Sequence, residues 1–261
     1  MTRVFRYAGA SIAALGQNLA HTAAANNALS LYSSDAIYSF IPKNACSTLR
    51  YSLALANGAI EDESQFNWIH HNNNTFCASL GELARAKYTF VVVRDPFLRL
   101  ASCFLDKIVD QTPVAASLNR LMGYGAPSHD VTFRAFVAGL KGHLRGDEHW
   151  RPQVDFLVYK TYDDVFRLED FSAAVRVLKA KIGFEVRDAR ALTRHGTDQF
   201  AQVDEECVAD VPAFDLLAAK RQGRVPRLQD FYDRALIAQV AALYAADLEF
   251  YRNETGGTPV F

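Results

Sequence analysis

The sequence lacks the cysteine patterns that mark disulfide scaffolds and zinc sites. Its 261 residues include four cysteines, with no C-x-x-C pair and no Cys/His spacing typical of a structural zinc. We therefore expect reduced thiols and a cytoplasmic protein. The four positions are Cys46, Cys77, Cys103 and Cys207.

An excess of charge of one sign is also missing. The chain has 28 Lys plus Arg against 29 Asp plus Glu, a net charge of −1, so it lacks the basic field of a nucleic-acid binder. Any anion it binds must be held locally by a few groups. No run approaches the roughly 20 apolar residues of a membrane span, and residues 7–16 are predicted to form an Ala-rich surface helix, so neither nucleic acid nor a membrane is an expected partner.

The sequence has no internal repeat and no Pro/Gly/Ser-rich linker. We predict an N-terminal helical extension over 1–34 and a single domain over 35–261. Half of the residues are hydrophobic, as in a globular protein. Apolar runs alternate with helical patterns, which predicts an α/β, P-loop-like fold with a central, mainly parallel sheet flanked by helices.

The individual elements follow from periodicity and capping residues. Strands are predicted at 36–41, 88–93, 154–159 and 164–168. Helices are predicted at 47–57, from Pro96 after an Asp95 cap, from Phe133 after a Thr132 cap, at 171–182 and at 235–250.

The loop over 42–48 joins a predicted strand to a predicted helix N-terminus. Backbone N–H groups and the helix dipole attract anions there, and Lys43, Ser47 and Thr48 add a cation and two hydroxyls. The loop lacks the glycines of a nucleoside-triphosphate P-loop. Taken alone, an ordinary helix cap with a solvated lysine explains these residues equally well.

A second strand-to-helix junction lies at Arg94, directly after the apolar run 88–93, and Ser102 follows in the next helix. A guanidinium at a strand end can bind a phosphate through two parallel hydrogen bonds. The alternative is that Arg94 and Asp95 only pair with each other. Two junctions of this kind suit a small ligand with two anionic ends.

Four segments, in this order, resemble the carbohydrate sulfotransferases that include the chondroitin and dermatan 4-O-sulfotransferase type. Residues 40–49 (FIPKNACSTL) are similar to their 5′-phosphosulfate loop, and residues 90–107 (FVVVRDPFLRLASCFLDK) to their 3′-phosphate segment. Residues 147–153 (DEHWRPQ) and 244–250 (YAADLEF) agree as well.

The resemblance implies 3′-phosphoadenosine-5′-phosphosulfate (PAPS) as donor, 3′,5′-ADP (PAP) as product, no metal, and a hydroxylated acceptor, expected to be a glycan. By position, Lys43 matches the lysine near the bridging oxygen and the 5′-phosphate, and Arg94 and Ser102 match the pair that binds the 3′-phosphate. The remaining donor contacts implied are those of the loop: Asn44, Ala45, Cys46, Ser47 and Thr48.

An acceptor hydroxyl needs a base, and histidine is the usual choice near neutral pH. His71 and His70 rank ahead of His149, because they occupy a position similar to the base-bearing segment of related glycosaminoglycan sulfotransferases. Glu169 is the carboxylate alternative. For each histidine the competing explanation is a hydrogen-bonded or solvated ring.

Basic residues outside the two junctions are candidates for contacts to an anionic acceptor or to the 3′-phosphate. A cluster at 220–227 contains Lys220 and three arginines, and a solvated surface loop explains it equally well. The candidates are Arg151, Arg221, Arg224 and Arg227.

The resulting hypothesis is a PAPS-dependent O-sulfotransferase acting by in-line transfer. The alternatives are a nucleotide-dependent kinase, disfavoured by the missing P-loop glycines, and a non-catalytic nucleotide- or glycan-binding relative.

Overall fold

The computed structural model describes residues 2–72, 74–110, 112–115, 130–193, 200–204 and 206–261. The chain divides into two compact units: the first unit comprises Met1–Arg94 and Gln153–Arg194, and the second unit comprises Asp95–Pro152 and His195–Phe261. The division into an extension over 1–34 and one domain over 35–261 stays a prediction.

The first unit is built on a four-stranded sheet in the order β1-β2-β3-β4. The strands are β1 (Ala28–Leu31), β2 (Ala36–Ser39), β3 (Tyr88–Val93) and β4 (Asp164–Arg167). β1 is antiparallel to β2, and the other two pairings are parallel. The predicted α/β fold with a central, mostly parallel sheet flanked by helices is confirmed.

Apolar side chains cover both faces of this sheet. Tyr38 and Phe90 face one side and stack on each other at 5.1 Å, in a core completed by the Cys46–Ala56 and Phe171–Ile182 helices. Ile37 faces the other side, in a smaller core formed with the Leu19–Ala25 and Leu80–Arg85 helices. The described residues of this unit form a fifth α-helix, Trp68–His71. Burial on both faces explains why β3 is apolar except for Thr89, whose hydroxyl donates to Asp163.

The carboxyl ends of β2 and β3 lie at the same sheet edge, because the strands are parallel and Ser39 pairs in register with Val91. The loop over 42–45 therefore emerges beside Arg94, which follows the last residue of β3. Side chains carried just beyond two such strand ends can reach one ligand.

In the second unit, β5 (Ala201–Val203) and β6 (Arg224–Pro226) form a parallel pair. An aromatic core containing Phe104, Phe133 and Phe231 lies between the helices. The helices are Pro96–Cys103, Phe133–Gly139, Ala213–Arg221, Arg234–Leu243 and Ala245–Thr255, and the first of them continues as a π-helical turn over Phe104–Val109. Asp95 and Thr132 cap the first two helices, as predicted.

Three predicted elements differ from the structure. Residues 154–159 do not form a strand: a 3₁₀ turn occupies Gln153–Phe156, and a short apolar run cannot distinguish the two. The helix predicted over 235–250 is interrupted at Tyr244, whose hydroxyl donates to the Trp150 carbonyl at 2.6 Å. Residues 7–16 contain only a 3₁₀ turn at Ala8–Ala10 and the start of another at Leu15–Gln17.

Within the described residues, no helix is both long enough and apolar enough to cross a membrane. All four cysteines lie in the described part of the chain, and each is a thiol.

Candidate functional site

The loop after β2 has an unusual backbone for residues that carry side chains. Lys43 (φ 73°) and Ala45 (φ 54°) both lie in the left-handed region, and Asn44 between them does not. An alternation of backbone hand turns successive N–H groups toward one side and forms a concave anion site. The loop thus attains without glycine a conformation that usually requires it.

The helix that follows leaves its N-terminus open. Ala45 is the N-cap residue of the Cys46–Ala56 helix and provides no side-chain cap, and the first turn has no acidic residue. The first bond back to the cap comes from the Leu49 N–H to the Ala45 carbonyl. The N–H groups of Cys46, Ser47 and Thr48 therefore form the positive end of the helix dipole. Donors of this kind fit a phosphate or sulfate group.

The two hydroxyls of this turn differ. Thr48 is buried, and its hydroxyl oxygen accepts the Ala189 N–H at 3.4 Å, so it ties the helix to the segment after the Phe171–Ile182 helix. Ser47 and the neighbouring Cys46 are half-buried. Ser47 and Thr48 are both predicted to contact the ligand, and Thr48 in addition stabilises the fold through its bond to Ala189.

Arg94 contacts the loop within the first unit. Its half-buried guanidinium donates from Nη1 to the Lys43 carbonyl at 3.4 Å. This bond brings the residue after β3 into contact with the loop after β2. Two cations are thus brought to the edge of the sheet where the open helix N-terminus lies.

Gln153 and Asn44 connect the loop to the end of β3, and neither was given this role from sequence. The Gln153 side chain exchanges two hydrogen bonds with the Arg94 backbone, accepting from its N–H at 2.9 Å and donating to its carbonyl at 2.8 Å. Asn44 Nδ2 donates to Gln153 Oε1 at 2.6 Å and to the Val92 carbonyl at 2.9 Å. The only sequence signal for Gln153 is its place at the end of the segment 147–153.

The helix N-terminus at Pro96 is closed by its own cap. Asp95 Oδ1 accepts from the N–H groups of Phe97 (2.8 Å) and Leu98 (3.2 Å), and Oδ2 accepts from the Val260 N–H at 2.7 Å. A carboxylate already occupies the place where an anion would bind. This helix N-terminus therefore adds no anion site to the one after β2.

Ser102 and Arg99 lie on the Pro96–Cys103 helix and are both buried. The Arg99 guanidinium donates to the carbonyls of Arg151 (2.8 Å) and Glu148 (3.3 Å). A buried arginine thus fixes the segment that carries His149. Sequence analysis missed this role, which joins residues about fifty positions apart.

His149 is paired with Asp147 in the second unit. Its Nδ1 lies 2.6 Å from Asp147 Oδ1, and its backbone N–H donates to the same oxygen at 2.9 Å. Burial raises the pKa of the Asp147 carboxyl, but the hydrogen bonds from His149 outweigh it and hold that pKa below its usual value. In a neutral ring, a carboxylate beside Nδ1 favours the tautomer in which Nδ1 carries the hydrogen, and Nε2 can then accept a proton.

His70 and His71 lie on the four-residue Trp68–His71 helix in the first unit, and both are exposed. The His70 ring meets the Phe66 ring edge-on at 5.6 Å. Glu169 is exposed on the 3₁₀ turn Leu168–Asp170. Trp150 is fully buried and donates to the His143 carbonyl, so it belongs to the core of the second unit.

Two of the four basic residues of the cluster at 220–227 are paired with carboxylates within the second unit. Lys220 forms an ion pair with Asp110 at 2.7 Å, and Arg227 pairs with Asp230 and Asp204. Arg221 and Arg224 are exposed. Arg151 donates to the Arg145 carbonyl.

Among the residues that the structure describes, no three His, Cys, Asp or Glu side chains are grouped as metal ligands.

The strain in the loop can be measured at Ala45. We expect Ala45→Gly to stabilise the protein by about 0.5–1 kcal/mol. Glycine removes the steric penalty of the left-handed conformation, and its greater conformational entropy in the unfolded chain offsets part of that stabilisation. Urea unfolding measures the change, with Ala54→Gly inside the same helix as a matched control that should destabilise. A lower stability for Ala45→Gly would contradict a strained residue at this position.

Comparison with known proteins gives one family match. The profile of the sulfotransferase family matches residues 33–252, a span that includes the loop, Arg94 and Gln153. The chain therefore belongs to the sulfotransferase family. Searches of curated proteins and of solved structures found no match.

Proposed function

We propose that this member of the sulfotransferase family transfers the sulfuryl group of PAPS to a hydroxyl of a carbohydrate or another hydroxylated acceptor. The observation that carries the proposal is the contact of Arg94 with the Lys43 carbonyl beside an uncapped helix N-terminus. The Arg94 guanidinium, the residue Lys43 and several N–H donors lie at this end of the sheet, which suits a donor with two anionic ends.

Within this proposal, the loop N–H groups and the side chains of Ser47 and Thr48 hold the 5′ end of the donor. Lys43 stabilises the negative charge that grows on the leaving phosphate as the sulfur–oxygen bond breaks. Arg94 binds the 3′-phosphate. These are fixed, preorganised charges, so the transfer needs little reorganisation of the protein.

The residues proposed in the second unit are assigned from the family resemblance and are tested individually. Ser102 is proposed to bind the 3′-phosphate. Its burial means that Ser102→Ala changes little surface, so a loss of donor affinity would report on its hydroxyl. Among the arginines proposed for the acceptor or the 3′-phosphate, Arg221 and Arg224 are exposed, and Arg151 and Arg227 have carbonyl or carboxylate partners.

Arg94→Ala is expected to weaken binding of 3′,5′-ADP by about 1.5–3 kcal/mol, the usual cost of a lost hydrogen bond to a charged group. That corresponds to roughly a 10- to 150-fold higher Kd, which titration calorimetry measures. Arg85→Ala is the matched control: Arg85 is an exposed arginine three residues before β3 begins, at the opposite sheet edge. Unchanged affinity in Arg94→Ala would remove Arg94 from the donor site.

The proposal as a whole is tested by transfer of labelled sulfate from PAPS to panels of glycans, lipids and small hydroxylated metabolites. Thermal shifts with 3′,5′-ADP and with ATP plus magnesium separate it from the kinase alternative. Stabilisation by 3′,5′-ADP alone together with labelled product supports it, whereas stabilisation only by ATP plus magnesium overturns it.

A further inference from the structure

The Gln153 side chain bonds to both anion-binding elements of the first unit. Through Arg94 it holds the end of β3, and through Asn44 it holds the loop between Lys43 and Ala45. We propose that Gln153 is a positioning residue that fixes the spacing between the 5′-phosphate loop and Arg94, so that both ends of one donor bind together. The inference rests on the proposed function.

The orientation of both amides follows from their backbone partners. The Arg94 N–H can only donate and the Arg94 carbonyl can only accept, so the Gln153 oxygen must face the first and its nitrogen the second. The Val92 carbonyl likewise requires the nitrogen of Asn44. Each amide nitrogen then faces an acceptor, including across the 2.6 Å bond between the two side chains, whereas the buried Asn44 Oδ1 has no hydrogen-bond partner among the described residues. A flip of either amide would place two donors or two acceptors against each other.

Burial makes this arrangement costly to break. Gln153 is 2% exposed and Asn44 is fully buried, so water cannot replace a lost partner. A side chain that cannot hydrogen-bond at position 153 would leave the backbone N–H and carbonyl of Arg94 unsatisfied. The Arg94 backbone or the loop would move to give these groups new hydrogen-bond partners. Either movement would change the spacing between Arg94 and the loop that carries Lys43.

This coupling predicts a specific binding defect. The 3′-phosphate adds affinity only when Arg94 stands at the correct distance from the loop. The measured quantity is therefore the ratio of the Kd of 5′-AMP, which lacks the 3′-phosphate, to that of 3′,5′-ADP. A general loss of folded protein would lower both affinities equally and leave this ratio unchanged.

Two near-isosteric variants test the inference in the full chain. Gln153→Met removes the hydrogen bonds without adding charge, and we expect it to lower the ratio about tenfold at every pH. Gln153→Glu presents an ionised oxygen to the Arg94 carbonyl at high pH, but a protonated carboxyl restores a donor there. We expect its ratio to be low near pH 8 and to approach the wild-type ratio as the pH falls and the carboxyl protonates.

The matched control is Gln17→Glu, which adds the same charge at an exposed position. The elements bonded to Gln153 carry Arg94 and Lys43, and Asp155 follows two residues later on the same turn, so wild type is measured at each pH. A wild-type ratio in Gln153→Met, or in Gln153→Glu at high pH, overturns the inference. Wild-type protein that binds no 3′,5′-ADP overturns the proposed function instead. If Gln153→Met fails to fold, the pH dependence of Gln153→Glu decides alone.

Discussion

Replacing Lys43 with alanine is expected to lower turnover by about 10²–10³-fold, the usual effect of removing one preorganised donor from a developing negative charge. Alanine keeps a Cβ at φ 73°, so the backbone penalty at this position is unchanged. The Lys43 carbonyl still accepts from Arg94. The variant therefore removes the ammonium group while the loop keeps its support.

The measurement is kcat for sulfate transfer, with the Kd of 3′,5′-ADP determined in parallel. The loss in kcat should exceed the loss in donor binding, because the leaving phosphate becomes more negative in the transition state. Lys87→Ala is a suitable control, since Lys87 forms an exposed ion pair with Asp35 before β3. Near-normal turnover in Lys43→Ala would rule out its transition-state role.

The second large effect is expected at His149. We expect His149→Ala to lower kcat by about 10²–10⁴-fold, the range for loss of a general base, with little change in the Kd of 3′,5′-ADP. The physical reason is the Asp147 carboxylate, which holds Nδ1–H and leaves Nε2 to take the acceptor proton.

His70→Ala and His71→Ala are the decisive comparisons, because sequence analysis ranks these two histidines ahead of His149. Both are exposed, and their removal is expected to change kcat by less than about tenfold. A larger loss in either of them than in His149→Ala would place the base on the Trp68–His71 helix instead.

Local signals in the sequence were sufficient for the elements that carry the candidate site. β3 and its Asp95–Pro96 helix start were predicted residue by residue, because an apolar, β-branched run and a capping carboxylate act over a few neighbouring residues. The profile match confirms the sulfotransferase family, whereas the resemblance to the chondroitin and dermatan 4-O-sulfotransferase type stays a prediction. The roles of the individual site residues stay predictions.

What sequence analysis missed depends on contacts between distant residues. Gln153 lies 59 residues from Arg94 and 109 from Asn44, and no periodicity reports such a bond. The apolar periodicity also runs through the helix interruption at Tyr244, whose hydroxyl bonds to a carbonyl 94 residues earlier. The left-handed backbone at Lys43 could not be predicted, because such a conformation is usually recognised from a glycine and this loop contains none.

The glycine-free loop also has a consequence for the thermodynamics of donor binding. The surrounding structure holds Lys43 and Ala45 in their left-handed conformations. The conformational free energy of ordering the loop is therefore part of the folding free energy and not of the binding free energy. A glycine-rich loop would sample many conformations and lose that freedom when the ligand arrives. Here the ligand should find the loop already ordered, and binding should show a small entropic penalty from this segment.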